Sequence, residues 1–243
     1  GPFDLDGQSL TLTPMGASYT ACTQDVTAFP TDPTGGTNLV LGDDDFEVIF
    51  LAGGETVTLY GTDYGSFYIG SNGYVTFGTG HTDMTESLAE HFTIPRISGL
   101  YNDLNPAAGG TISWKQLADR AAVTWSEVPE WNIGGQNSFQ IELFFDGRIR
   151  ITHLVVDSLG GIVGVSAGTG VPVDYEETDL SEQSPCPASI AFGRGSYSCS
   201  DTVDVVISGS TLSGTGPLSL TVTSDAGDNE SVSATENPGG AGV

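Results

Sequence analysis

Apolar and polar side chains alternate through most of this chain and almost nowhere repeat at the helical interval. In Phe67-Tyr68-Ile69-Gly70-Ser71-Asn72-Gly73-Tyr74-Val75-Thr76-Phe77, two alternating arms flank an Asn-Gly turn, the pattern of a hairpin with one buried face. A two-residue turn would set Ile69 against Thr76. A three-residue loop with Gly73 in the left-handed conformation sets Ile69 against Val75 and Phe67 against Phe77. All four apolar side chains then share a face, so the bulged turn is expected. The same test on Phe139–Ile151, with Gly147 as the bulge glycine, pairs Leu143 with Ile149 and Ile141 with Ile151. It also puts Glu142 opposite Arg150 on the side expected to face solvent. Thr111–Trp114 and Ala121–Trp125 form a third candidate pair.

The ends of the chain carry the same period. Ser9-Leu10-Thr11-Leu12-Thr13-Pro14 puts Leu10 and Leu12 on one face of an N-terminal strand. Towards the other end, Thr202–Ile207, Leu218–Thr223 and Glu230–Thr235 are strand-like runs between Gly, Asp and Pro turns. One short helix is expected, near Thr85–Phe92. The acidic, turn-rich stretch from Glu176 to Pro185 marks a boundary. The expected organisation is an N-terminal strand or leader (1–16), a β-sandwich body (17–182) and a second sandwich (183–243). The fold class is all-β, two antiparallel β-sandwich domains. Because the sequence stops at Val243 soon after the third run, the second sandwich reads as one strand short and open to a donor strand.

Composition narrows the setting. Six Lys+Arg stand against 31 Asp+Glu, for a formal charge of −25, and Lys115 is the only lysine. Phosphate recognition needs clustered cations, so nucleic acid is excluded as a partner. Charged residues are only 15% of the chain, too few for a disordered acidic tail. No run of 18 apolar residues occurs, so no membrane insertion is expected. An acidic, lysine-poor, Gly/Thr-rich β composition points to an extracellular location at the cell surface.

Of the three cysteines, Cys186 and Cys199 flank a single strand-and-turn segment, and a disulfide between them is expected in an oxidising compartment. Cys22 is left over, either buried or available to cross-link chains.

Three segments together resemble the nidogen-like (NIDO) extracellular domain. They are Gly73-Tyr74-Val75-Thr76-Phe77-Gly78, Ile94–Asn105 with its acidic turn, and Gly110-Thr111-Ile112-Ser113-Trp114. Trp125-Ser126-Glu127-Val128 and the Asn137–Gly147 arm extend the likeness over about residues 45–168. The resemblance implies an extracellular adhesion or matrix module without enzymatic activity. The tail is similar to an Ig-like β-sandwich repeat of large bacterial and archaeal surface proteins. The matching positions are Tyr197-Ser198-Cys199-Ser200-Asp201, the turn Thr223–Glu230, and Gly242-Val243. It departs from that repeat in lacking a Phe-x-Gly strand after Val243.

Chemistry-bearing motifs are few. Gly164-Val165-Ser166-Ala167-Gly168 matches G-x-S-x-G, but Thr169-Gly170-Val171-Pro172 cannot supply the helix a nucleophile elbow needs. His81, His91 and His153 lack metal spacing, and His153 falls on a core face opposite Phe139. Trp114, Trp125 and Trp131 suggest a sugar-stacking platform only if alternation leaves them all outside a core, so glycans are a secondary partner class. No cofactor is required. Calcium is the one ligand with candidate donors, at Asp43, Asp44 and Asp45 in one turn or Asn102 and Asp103 in another. Asn229-Glu230-Ser231 is a glycosylation sequon.

These readings predict a non-enzymatic extracellular structural protein, a subunit of a helical homo-oligomeric filament built by β-strand addition. Leu10 and Leu12 would supply the donor strand to the next copy. The competing placement pairs residues 8–14 within their own body. The alternative function is a monomeric adhesion or carbohydrate-binding fragment of a larger surface protein.

Overall fold

The computed structural model describes residues 3–187, 189–192, 205–208, 218–223 and 229–234. Two compact units divide the chain, Gly1–Ser184 and Pro185–Val243. Residues 1–16 are thus part of the first unit and not a separate leader. That unit opens with β1 (Gln8–Met15), β2 (Ser18–Asp25), β3 (Thr37–Leu39), β4 (Phe46–Phe50), β5 (Val57–Leu59) and β6 (Thr62–Tyr64). It continues with β7 (Ser66–Gly70), β8 (Tyr74–Thr76), the helix α1 (Leu88–His91), β9 (Pro95–Tyr101) and β10 (Thr111–Gln116). It ends with β11 (Arg120–Glu130), β12 (Gly134–Phe144), β13 (Ile149–Val156) and β14 (Ile162–Ala167). In the second unit β15 (Ser189–Phe192) pairs with β16 (Val205–Ser208), and β17 (Leu218–Thr223) with β18 (Asn229–Ala234), both antiparallel. Asn229, the sequon asparagine, therefore opens a strand at the end of the segment Thr223–Glu230 that the sequence reads as a turn.

A seven-stranded sheet runs β2-β1-β13-β12-β11-β10-β3, and a five-stranded sheet runs β14-β9-β8-β7-β4. Their inward residues form one core. Leu10, Ile151, Ile141, Val123 and Trp125 come from the larger sheet, and Ile49, Phe67, Ile69, Val75 and Ile97 from the smaller. This is the sandwich that the alternation predicts. Ile69 lies opposite Val75, with Gly73 at φ 78°. A Cβ at Gly73 would come 1.9 Å from the Leu100 carbonyl oxygen, so no other residue fits that turn. Leu143 lies opposite Ile149 and Ile141 opposite Ile151, as the hairpin register requires.

Three expectations are corrected. Glu142 does lie opposite Arg150, but its side chain is fully buried instead of facing solvent. The loop before β3 covers that face. Thr31 N–H donates to Gln140 Oε1 at 3.1 Å, and Thr31 Oγ1 donates to Glu142 Oε1 at 2.6 Å. Arg120 and Arg150 neutralise the carboxylate from either side, as a buried charge demands.

The N-terminal strand takes the competing placement, within its own body. Leu10 lies opposite Ile151 and Thr23, and Leu12 opposite Ile149 and Ala21, so β1 is flanked by two strands of its own sheet. Gly16, at φ 65°, reverses the chain directly into β2, so the strand next in sequence captures β1.

The disulfide joins Cys22 to Cys186, not Cys186 to Cys199. Thr23 N–H and Oγ1 donate to the Ser184 and Gln183 carbonyls at 3.1 and 3.0 Å, which brings residue 186 beside β2. Cys199 lies outside the described residues.

Candidate metal centre

The turn into β4 is a run of three aspartates, and each has a different environment. Asp45 organises the turn. Its carboxylate accepts from Gly42 N–H at 3.1 Å and from Phe46 N–H at 2.8 Å, and its own N–H donates to Ser71 Oγ. Asp44 holds φ 45°, a left-handed conformation that aspartate tolerates better than most residues. Asp43 turns inward, and its Oδ1 is buried without a hydrogen-bond partner.

The turn after β9 meets this one. Asn102 is structural, for its Nδ2 donates to the Gly160 carbonyl at 3.2 Å and its Oδ1 accepts from Asp103 N–H at 2.8 Å. Asp103 extends towards the first turn, and its Oδ1 is also buried and unpartnered. One oxygen from each of Asp43, Asp44 and Asp103 lies within 4.8 Å of the other two. The two turns expected as separate sites thus contribute to one cluster of Asp43, Asp44 and Asp103, while Asp45 and Asn102 serve the turns themselves through their hydrogen bonds.

Asn72 is the residue the pattern reading missed, having been read only as the turn partner of Gly73. It is fully buried. Its Nδ2 donates to Asp44 Oδ1 at 2.8 Å and to the Asp83 carbonyl at 3.3 Å, while its Oδ1 accepts from Leu104 N–H at 2.9 Å. One amide therefore fixes both turns.

The electrostatics of the cluster are unfavourable on their own. Burial, then Asp44, Asp43, Glu86 and Glu130, pushes the Asp103 carboxyl up to about 6. Burial and Asp44 raise Asp43 as well. Carboxylates gathered without a cation repel one another. An all-oxygen donor set without Cys or His suits a hard divalent ion, and the unpartnered oxygens are free to coordinate one.

Beside the cluster, the segment from Thr79 to Thr93 straps the outer face of the smaller sheet. Arg96, fully buried on β9, lies between the rings of Tyr74 and Tyr101, with its guanidinium carbon 4.6 and 4.7 Å from their centroids. Its Nη2 donates to His81 Nδ1 at 3.0 Å. Tyr74 Oη donates to the His81 and Asp83 carbonyls, and Tyr101 Oη to Asp83 Oδ1. His91 Nδ1 lies 3.0 Å from Ser98 Oγ, and burial together with Arg96 pulls its pKa down to about 4.

The remaining sequence candidates are structural. Ser166 is buried on β14, where its Oγ accepts from Gly168 N–H at 3.0 Å. His153 lies opposite Phe139, and its Nε2 donates to the Gly99 carbonyl at 2.7 Å. Trp125 stacks on Phe139 inside the core, whereas Trp131 is 42% exposed, so the three tryptophans cannot form one platform.

The family model described as NIDO related matches residues 18–189, most of the chain and all of the strands from β2 to β14. The chain belongs to the NIDO-related family. No curated protein and no solved structure matches it. The NIDO-related domain and its Cys22–Cys186 bridge point to an extracellular location. Among the described residues no helix is long and apolar enough to cross a membrane.

Proposed function

We propose that this NIDO-related chain is a non-enzymatic extracellular structural module, used in assembly or adhesion at a cell surface and locked by a calcium ion at Asp43, Asp44 and Asp103. The observation that carries the calcium reading is the meeting of two loops, distant in sequence, at three carboxylates, two of them with buried unpartnered oxygens. Calcium takes six to eight oxygens, so waters or carbonyls would complete its shell. In this role the ion pins the β4 entry turn to the turn after β9 and stiffens one end of the sandwich. The sealed environment of the Ser98 and His91 pair, both buried, supports the non-enzymatic reading, because a substrate cannot reach a nucleophile there. Assembly into a filament by strand addition needs an edge other than β1, which is enclosed by its own sheet.

Thermal unfolding of the full chain in chelator and in rising calcium tests the site. An ion that binds only the folded state raises the melting temperature progressively, adding about 2.7 kcal/mol at a hundredfold excess over Kd. The Asp43→Asn/Asp103→Asn double variant is expected to lose that rise. An unchanged wild-type melting temperature between chelator and millimolar calcium overturns the assignment.

A further inference from the structure

β4 is an edge strand. Its ladder with β7 continues at both ends, where Ser71 N–H donates to the Asp45 carbonyl at 2.8 Å and Leu51 N–H donates to the Gly65 carbonyl at 2.9 Å. These two bonds fix the alternation between them. Glu47 and Ile49 direct their main-chain groups at β7, so Phe46, Val48 and Phe50 direct theirs to the open side. Phe46 N–H is held by the Asp45 carboxylate. Among the described residues no strand pairs with the rest of that edge. The side chains of the same residues lie on the outer face, with Phe46 37% and Phe50 72% exposed. Natural edges are blunted by lysine, proline, bulges or charged residues. Phe46-Glu47-Val48-Ile49-Phe50 has no lysine, proline or bulge, and its one charge, Glu47, is acidic and disfavours an acidic partner strand.

A cleft of about 370 Å³ opens at the start of this edge, between Phe46 and Asp44 on one side and His81, Asp83 and Met84 of the strap on the other. Its formally charged lining residues are both acids, Asp44 and Asp83. Burial and Arg96 lower the His81 pKa. With calcium held at Asp43, Asp44 and Asp103, the charge left to the cleft and its mouth is that of Asp83, Asp45 and Glu47, still entirely acidic.

We infer that the open edge of β4 is a docking site for an extended cationic segment of another protein, which adds as a sixth strand and places a Lys or Arg side chain in the acidic cleft. Main-chain hydrogen bonds supply affinity, alternate apolar side chains over Phe46, Val48 and Phe50 set the register, and the cleft sets direction. Charge selects the partner class. Another copy would bring a −25 chain, with its own Asp45, Glu47 and Asp83, against the same acids.

The probe is a synthetic decapeptide alternating valine and lysine, compared with its valine–glutamate counterpart, against the full chain by fluorescence anisotropy. The basic peptide is expected to bind at least tenfold more tightly, with backbone amide shifts concentrated at Val48 and Phe50. Val48→Pro removes only an outward N–H, and Phe50→Lys puts a cation on an exposed position. Each is expected to weaken binding at least tenfold while the fold, followed by circular dichroism, is kept. Equal binding of the two peptides, or unchanged binding by Phe50→Lys, overturns the inference. So does self-association in light scattering that Phe50→Lys abolishes, because the occupant would then be a second copy.

Discussion

His153 is enclosed between Phe3 and Phe139, with ring centroids 4.8 and 6.2 Å away, and its Nδ1 is buried with no hydrogen-bond partner. Burial drives its pKa down to about 4, as it does for His91. A histidine lowered in this way contributes stability that is fully present above its ordinary value near 6.5 and is lost as pH falls towards 4, because the unfolded chain takes up the proton first. Each of the two histidines is expected to remove about 2 kcal/mol between pH 7 and pH 5. Asp103 acts in the opposite sense. Its raised carboxyl contributes stability present below about pH 4 and lost as pH rises through about 6. Denaturant midpoints of the wild type should therefore fall from pH 7 to pH 5, and His153→Gln, which can still donate to the Gly99 carbonyl, should remove more than half of that fall. An identical slope in the variant would show that His153 does not titrate in this range. The sequence identified His153 as a core residue because alternation sets it opposite Phe139. The work of Asn72 was not legible in the same way. Its partners Asp44, Asp83 and Leu104 are brought together by three different segments, and an Asn-Gly turn has the same local pattern whatever its amide contacts.

At the level of elements, hairpins were legible because their register is local: a glycine turn and two alternating arms leave few pairings that keep apolar residues on one face. Long-range closure was not. The spacing of Cys186 and Cys199 suggested a short clip, yet the partner of Cys186 is set by the bonds that the Thr23 N–H and hydroxyl make to Ser184 and Gln183, which no spacing reports. Glu142 was assigned to the solvent side for a similar reason, since period-2 alternation marks two faces but does not show that a loop folds over the second. The aspartate clusters were legible as donors and illegible as a single site. A non-reducing digest should yield Cys22 and Cys186 in one cross-linked peptide pair, and a Cys186–Cys199 pair would contradict the structure. Closing so long a loop constrains the unfolded chain strongly, so Cys22→Ala is expected to cost about 2–5 kcal/mol in denaturant unfolding.

For the whole molecule, the position of β1 decides between two kinds of protein. A donor strand is dispensable to the subunit that carries it, whereas a strand between two neighbours is part of the core. β1 hydrogen-bonds with β13 on one side and β2 on the other, and Leu10 and Leu12 are 1% and 6% exposed. Removing it exposes the Ile149 and Ile151 edge of β13 and leaves β2, with its disulfide to Cys186, no strand to join. Loss of the two leucines alone withdraws roughly 3–6 kcal/mol of apolar burial, comparable with the whole net stability of many domains. Deleting residues 1–14 is therefore expected to give an unfolded or insoluble chain, with no dispersed amide spectrum and no cooperative melt, and the intact protein is expected to be fully folded as a monomer by light scattering. A synthetic peptide spanning Gln8–Met15 should restore cooperative unfolding to the deleted chain by filling the slot between β13 and β2. A deleted chain that stays soluble, folded and monomeric without the peptide would mean that β1 is not needed by its own sheet, and the donor-strand arrangement would stand in its place.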